Sequence, residues 1–152
     1  MGIPFIPVKG VLGSNYLALD NGITRIENPY GPGEIAVIEA LRPEVAVLHG
    51  LRATRTGYVV VDRGSASLLL IQASDTVIVS VEEIIEDDGL SIAPDETIAE
   101  PIYVDYIVHA PRGALPTACP GHYERDDHEI QAYVKACESS SAFQGYLERL
   151  LA

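Results

Sequence analysis

The run DTVIVSVEEII, residues 75–85, is β-branched at most steps and apolar on both parities, through Val77, Ile78, Val79 and Val81 to Ile84 and Ile85. A strand with one face in water alternates apolar and polar residues, whereas one covered on both faces is apolar throughout. This run is of the second kind and predicts a strand inside a sheet that is covered on both sides. PIYVDYIVHAP (101–111) reads the same way, and EIAVIEAL (34–41), VAVLHGL (45–51) and TGYVVVD (56–62) supply further strands. SASLLLIQASD (65–75) is apolar nearly all round and reads as a helix buried between other elements. Asp126 and Glu129 resemble a capping box ahead of Ile130, Tyr133, Val134 and Cys137 at i, i+3, i+4 and i+7. SAFQGYLERLLA then places Phe143, Tyr146, Leu147, Leu150 and Leu151 on one stripe. The expected fold is α/β, with a mainly parallel sheet of about five strands flanked by helices and closed by two C-terminal helices.

Composition narrows the functional classes. The chain has 152 residues, enough for one domain with a real core, and carries 22 Asp+Glu against 10 Lys+Arg, a formal charge of −12. Phosphate backbones and anionic membrane surfaces both require a basic footprint, which excludes nucleic acid and membrane as expected partners. The start, MGIPFIPVKG, has no apolar signal region, and the apolar runs elsewhere fall short of a membrane span. Two cysteines make no disulfide framework, and a cytoplasmic location is expected.

ALPTACPGHYERDDHE (114–129) gathers Cys119, His122 and His128 beside acidic residues. A structural zinc site has two ligand pairs, and here there is one C-x-x-H with no second pair. The stretch is read as a Pro/Gly loop carrying polar groups to the C-terminal edge of a sheet, where open α/β sheets bind ligands, and no metal is expected. Glu82 and Glu83 are adjacent on a strand and point to opposite faces, so they make no acid/base pair; one is expected to be solvated and the other structural. His49 is expected to be a satisfied core histidine. VKGVLGSN (8–15) puts Gly10, Gly13 and Ser14 on a loop that is either a plain turn or a place where backbone N–H groups approach an anion. Arg52, Arg55, Arg63 and Arg112 are four of the ten Lys and Arg residues of an acidic chain.

Taken together, these pieces resemble a known family. VIVSVEEIIEDDGLSIAPDETIAEPIYVDYIVHAP (77–111) is similar to the E-E-I-(V/I) … P-x-x-I … P-x-(Y/F)-V-D-x-(I/V)-V segment of the family I CoA-transferases. GIPFIPVKGVLGS (2–14) resembles its G-(I/L)-P-F-x-P … G-S loop, and IENPYGPGE (26–34) its E-N-P-(F/Y) … G-E turn. ALRPEVAVLHGLRA (40–53) resembles the A-L-x-P-D-V-A-(L/I)-I-H-x-x-x-A strand pair, and APRGALPTACPGHYERD (110–126) the A-P-Y-G-A-H-P-(S/T) … G-x-Y-x-x-D loop. The order is kept over essentially the whole chain, and the likeness is to A subunits of the glutaconate CoA-transferase type.

The resemblance implies a single domain over 1–152 that corresponds to the C-terminal half of such a subunit, without the G-x-G-G-(F/W) loop of the other half. In the family the glutamate that forms the acyl and CoA thioester intermediates sits in the B subunit, in an S-E-N-G motif. Glu27-Asn28 in IENPY is not that motif, so no catalytic residue is assigned to this chain. Substrate and CoA binding are assigned to Gly10, Gly13, Ser14, Arg52 and Arg112. The implied function is that of a partial A subunit that shapes the pocket while CoA moves between an acyl-CoA and a carboxylic acid. An acyl-CoA hydrolase or ring-opening subunit, or a non-catalytic scaffold, is the alternative. No tightly bound cofactor is implied, and the CoA thioester is a substrate. The implied partners are a chain supplying the other half together with a CoA-transferase B-type subunit, and a homo-oligomer is a further option. Leu115 stands where relatives carry histidine, Thr54 where they carry aspartate, and Arg112 where they carry tyrosine, so the polar lining is altered.

Overall fold

A computed structural model describes residues 3–19 and 21–151. It divides into two compact units, one up to Arg42 and one from Pro43 onward.

The first unit is a three-stranded antiparallel sheet in the order β1-β3-β2, from Phe5–Val8 (β1), Ile23–Glu27 (β2) and Glu34–Glu39 (β3). Ala36 and Val37 of its central strand are its buried residues. Between β1 and β2 the chain turns through Gly10 and Gly13, at φ 80° and 84°, before a 3-10 turn over Asn15–Ala18. The space beside both glycines is open, so it is the left-handed backbone that calls for glycine there.

The second unit is an α/β layer. Its strands are Val45–Thr54 (β4), Val59–Asp62 (β5), Thr76–Ile85 (β6), Glu96–Ala99 (β7) and Tyr106–His109 (β8), in the order β7-β5-β4-β6-β8. The β4–β6 and β6–β8 pairings are parallel, whereas β4–β5 and β5–β7 are antiparallel. The α/β sheet has the expected five strands, but it is mixed rather than mainly parallel, because the four residues between β4 and β5 allow only a hairpin. EIAVIEAL, expected among its strands, forms β3 of the first unit, and β7 takes the fifth place. The helices are Ser67–Ala73 (α1), Asp127–Ala136 (α2) and Ser140–Leu151 (α3). Asp126 caps α2 by accepting from the Glu129 N–H at 3.0 Å, half of the expected capping box. The Glu129 carboxylate turns instead to Arg149 of α3, and Tyr133 packs edge-on against Phe143 and Tyr146 to join the two helices.

Ala46, Val77, Val79, Val81 and Ile71 of α1 form the main core on one face of this sheet. The expectation that α1 is buried all round is corrected: Ile71 is its buried residue, and Leu69 is 70% exposed. The expected strand over 101–111 is likewise shorter. Pro101–Tyr103 is a 3-10 turn, closed by Tyr103 N–H to Glu100 O and Val104 N–H to Pro101 O, and β8 follows it as an edge strand with Tyr106 and Val108 exposed.

Candidate functional site

Beyond the C-terminal end of β8 the chain does not leave the sheet. Residues 110–126 fold back over it, and Cys119 and Tyr123 pack with Leu51 and Val60 in a second core cluster. The fold-back is anchored on Glu82 of β6, which is 6% exposed. One carboxylate oxygen accepts from the Arg112 backbone N–H at 2.6 Å. The other accepts from the Tyr123 hydroxyl and faces His49 Nε2 at 2.7 Å. Arg112 has φ 63°, a left-handed conformation unusual for a residue with a side chain, and in this bend its N–H meets Glu82. Gly113 follows because no larger residue fits: a Cβ there would lie 2.7 Å from Ala110 O and 2.9 Å from the His49 ring.

The electrostatics follow from these contacts. Burial alone would raise the Glu82 carboxyl, but hydrogen bonds from Tyr123, from the Arg112 N–H and from His49 outweigh it and hold the group at about 2. Glu82 is therefore a carboxylate at neutral pH. Tyr123, buried and bonded to that carboxylate, is pushed up to about 12 and remains a phenol. His49 bridges two partners, with Nε2 2.7 Å from Glu82 and Nδ1 2.8 Å from the Ser80 hydroxyl. Burial, with the Glu82 charge, raises the Cys119 thiol as well.

His49, Glu82 and Cys119 offer ligand atoms within 4.8 Å of one another. They fit a hydrogen-bonded cluster better than a metal centre. Both Glu82 oxygens are already engaged, one by the Arg112 N–H and the other by the Tyr123 hydroxyl and His49, and burial favours the thiol of Cys119 over the thiolate that metals bind. Cys119, His122 and His128 do not come together as a ligand set among the described residues. His122 Nδ1 lies 3.8 Å from Glu83, and His128 is exposed in the first turn of α2.

Two cavities flank the cluster. One, of about 240 Å³, is lined by His49, Asp62, Ser65, Thr117 and Cys119, and the other, of about 270 Å³, by Leu51, Asp62, Asp95, Glu96 and Gly121. The first carries one carboxylate, Asp62, and the second carries Asp62, Asp95 and the Arg52-paired Glu96.

The residues assigned from the sequence fall in different places. Gly10, Gly13 and Ser14 belong to the first unit, where the Ser14 hydroxyl donates to Val11 O at 2.7 Å. Arg52 and Arg112 belong to the second. Arg52 is engaged: its guanidinium grips both oxygens of Glu96 at 2.9 and 2.6 Å and also donates to Ser91 O. That pairing, opposed by burial, holds Glu96 at about 2. Arg112 contributes its backbone to the cluster and leaves its side chain exposed. Glu82 is structural and Glu83 largely solvated, as expected, and both ring nitrogens of His49 are satisfied. Sequence reasoning did not single out Tyr123 or Ser80. Tyr123 was nonetheless visible as the aromatic of the G-x-Y-x-x-D stretch.

No family model matches the chain. It is 29% identical over 164 residues to the A-type subunit of glutaconate CoA-transferase from Acidaminococcus fermentans, covering 96% of this chain and 51% of that one. The crystal structure of that transferase superposes with a TM-score of 0.81, at 27% identity over 97% of this chain and 52% of the transferase chain. The resemblance to CoA-transferase A subunits is borne out. The α/β fold is that of the transferase. Similarity extends to other chemistries. A variant of the decarboxylase AibA/AibB superposes with a TM-score of 0.82 at 33% identity, over 98% of this chain and 54% of that one. The IpdA subunit of a cholesterol ring-cleaving hydrolase from Mycobacterium tuberculosis is 28% identical over 160 residues, 98% of this chain and 54% of the relative. The chain thus spans about half the length of the relatives it matches. Among the described residues no helix is long and apolar enough to cross a membrane.

Proposed function

We propose that the chain is the substrate-shaping part of a CoA-transferase A subunit, working where CoA passes between an acyl-CoA and a carboxylic acid. The glutamate nucleophile comes from a B-type partner chain, and the remainder of the A subunit's length lies outside this sequence. The observation that carries this reading is the state of Glu82. A nucleophilic carboxylate must present a free oxygen to a thioester carbonyl. Glu82 is the buried glutamate among the described residues, and both its oxygens are taken up by His49, Tyr123 and the Arg112 N–H. It holds the 110–126 wall in place rather than attacking. Asp62 and Asp95, carboxylates of the cavity of about 270 Å³ with no ion pair among the described residues, would repel the phosphates of CoA, so the neutral acyl or pantetheine portion is what that cavity suits.

The chain by itself is expected to move CoA between acetyl-CoA and acetate, succinate or glutarate no faster than buffer. Supplied with a B-type chain bearing S-E-N-G and with the rest of the A subunit, it is expected to turn over, and hydroxylamine or borohydride trapping should locate the thioester on the partner's glutamate. CoA trapped on Glu82 or Glu83 overturns the reading. The similarity to the ring-cleaving hydrolase subunit favours a second reading, acyl-CoA hydrolysis or ring opening by the same assembly. A partner without that glutamate, and activity with water in place of the acceptor acid, would select it.

A further inference from the structure

The strand pairing lays out one face of the sheet. Val45 lies beside Thr76, Val47 beside Ile78 and Tyr106, and His49 beside Ser80 and Val108. The upper end of this face, at Leu51, is closed by Cys119 and Tyr123. The lower end is open: Val45, Val47, Tyr106 and Val108 are 53%, 70%, 60% and 48% exposed. On the opposite face the same strands bury Ala46, Val77 and Val79 against Ile71 of α1. Central parallel strands are normally covered on both faces, and a contiguous apolar strip of this kind marks an interaction surface. Its rim is acidic, with the exposed Glu44, Asp75 and Asp105 immediately before β4, β6 and β8.

We propose that this strip seats an amphipathic helix with a basic end, contributed by the part of the relatives' length that this chain does not span. That source rests on the functional reading above. Its chemistry rests on the strip and its rim. Valines and a tyrosine on a flat sheet accept the apolar face of a helix, as α1 shows on the other side, and three carboxylates at one end favour Lys or Arg on the incoming helix. A second copy is the poorer occupant, because two chains of charge −12 would bring identical acidic rims together.

The test uses a defined probe: the portion of the Acidaminococcus fermentans polypeptide that has no counterpart here, about half of its length. Co-expressed with this chain, it is expected to elute as a 1:1 complex by light scattering. Val47→Asp places an unpaired charge in the interface and is expected to weaken the complex roughly a hundredfold. Because Val47 is largely exposed, the variant chain should melt as the parent does. Leu69→Asp, equally exposed on α1, should leave the affinity unchanged. Glu44→Lys should weaken binding and flatten its dependence on salt. Failure to form the complex, or a complex indifferent to Val47→Asp, overturns the proposal. So does a photo-crosslinker at position 47 that captures a second copy or residues 3–42. A complex that forms but transfers no CoA once a B-type chain bearing S-E-N-G is added would count against the functional reading alone.

Discussion

Replacing Glu82 with Gln keeps the side-chain volume and removes the charge, so it measures how much the fold-back depends on a carboxylate. The native group is held at about 2 against an ordinary value of 4.5. A neutral amide approximates the protonated acid, so the loss at neutral pH is about 3 kcal/mol, from about 1.4 kcal/mol per unit. The amide also has to turn either its oxygen or its NH2 toward the Arg112 N–H. With the NH2 toward Arg112 donor faces donor, and with the oxygen there the Tyr123 hydroxyl loses the acceptor it now has. For a domain of this size the melting temperature should fall by roughly 10 °C. The sign with pH follows from the lowered value. A depressed carboxyl stabilises the fold fully above 4.5, and that contribution disappears as pH falls toward 2. The parent should therefore lose stability steeply between pH 4.5 and 2, and Glu82→Gln should start lower and show a shallower slope across that window. Melting followed by circular dichroism at several pH values reads both quantities, with the exposed Glu83→Gln as a control expected within about 0.5 kcal/mol of the parent. A Glu82→Gln chain that melts within about 2 or 3 °C of the parent at neutral pH, roughly a quarter of the expected shift, refutes the anchoring role.

Arg52→Ala leaves Glu96 with its charge and without its partner, and is expected to cost about 3 kcal/mol in urea denaturation, with Glu96→Gln in the same chain recovering part of the loss. Gly113→Ala drives a methyl group into Ala110 O and the His49 ring and should destabilise by roughly 1–3 kcal/mol, whereas Gly121→Ala, which meets no atom within 4 Å, should show only the smaller backbone penalty of its φ of 79°. With a thiol-reactive disulfide, exposed Cys137 should react quickly and buried, raised Cys119 only as the domain opens, so that two cysteines reacting at one rate in the native protein would contradict the packing of the fold-back.

The parts of the fold legible in the sequence are those set by local pattern. The β6 run, the α1 helix, the Asp126 cap and the Phe143 stripe all declare themselves within a dozen residues. β2 was not legible, because Ile23–Glu27 mixes Thr, Arg and Glu with isoleucine and its partner across the turn is what makes it a strand. The antiparallel side of the main sheet was hidden for a similar reason. The pairing of β5 with β7 joins residues more than thirty apart, and no periodicity reports a pairing at that distance. For the site, the notion that Glu82 and Glu83 part company followed from strand geometry alone. What Glu82 bonds to did not, since His49, Arg112 and Tyr123 come from three separated segments. Arg52 shows the opposite limit. A cation in an acidic chain looks free for a phosphate until the fold brings Glu96 beside it.

The β6 pattern also carries information that the chain alone does not satisfy. Val77, Val79 and Val81 face the core beneath α1, whereas Ile78 and its neighbours Val47 and Tyr106 face outward. A strand written for cover on both faces has found it on one face and on the upper half of the other. The Glu82 cluster sits at that boundary, where the closed part of the face gives way to the open strip. His49 and Ser80, hydrogen-bonded to each other and half-buried, form the polar seam between the two. Covering the strip would bury that seam, remove water from beside an ionised carboxylate and strengthen its bonds to His49 and Tyr123. Binding at the strip should therefore slow hydrogen exchange at the Arg112 amide, although Arg112 lies on the fold-back and outside the strip. An amide there that exchanges at the same rate with and without the bound polypeptide would show that the two halves of the face are independent.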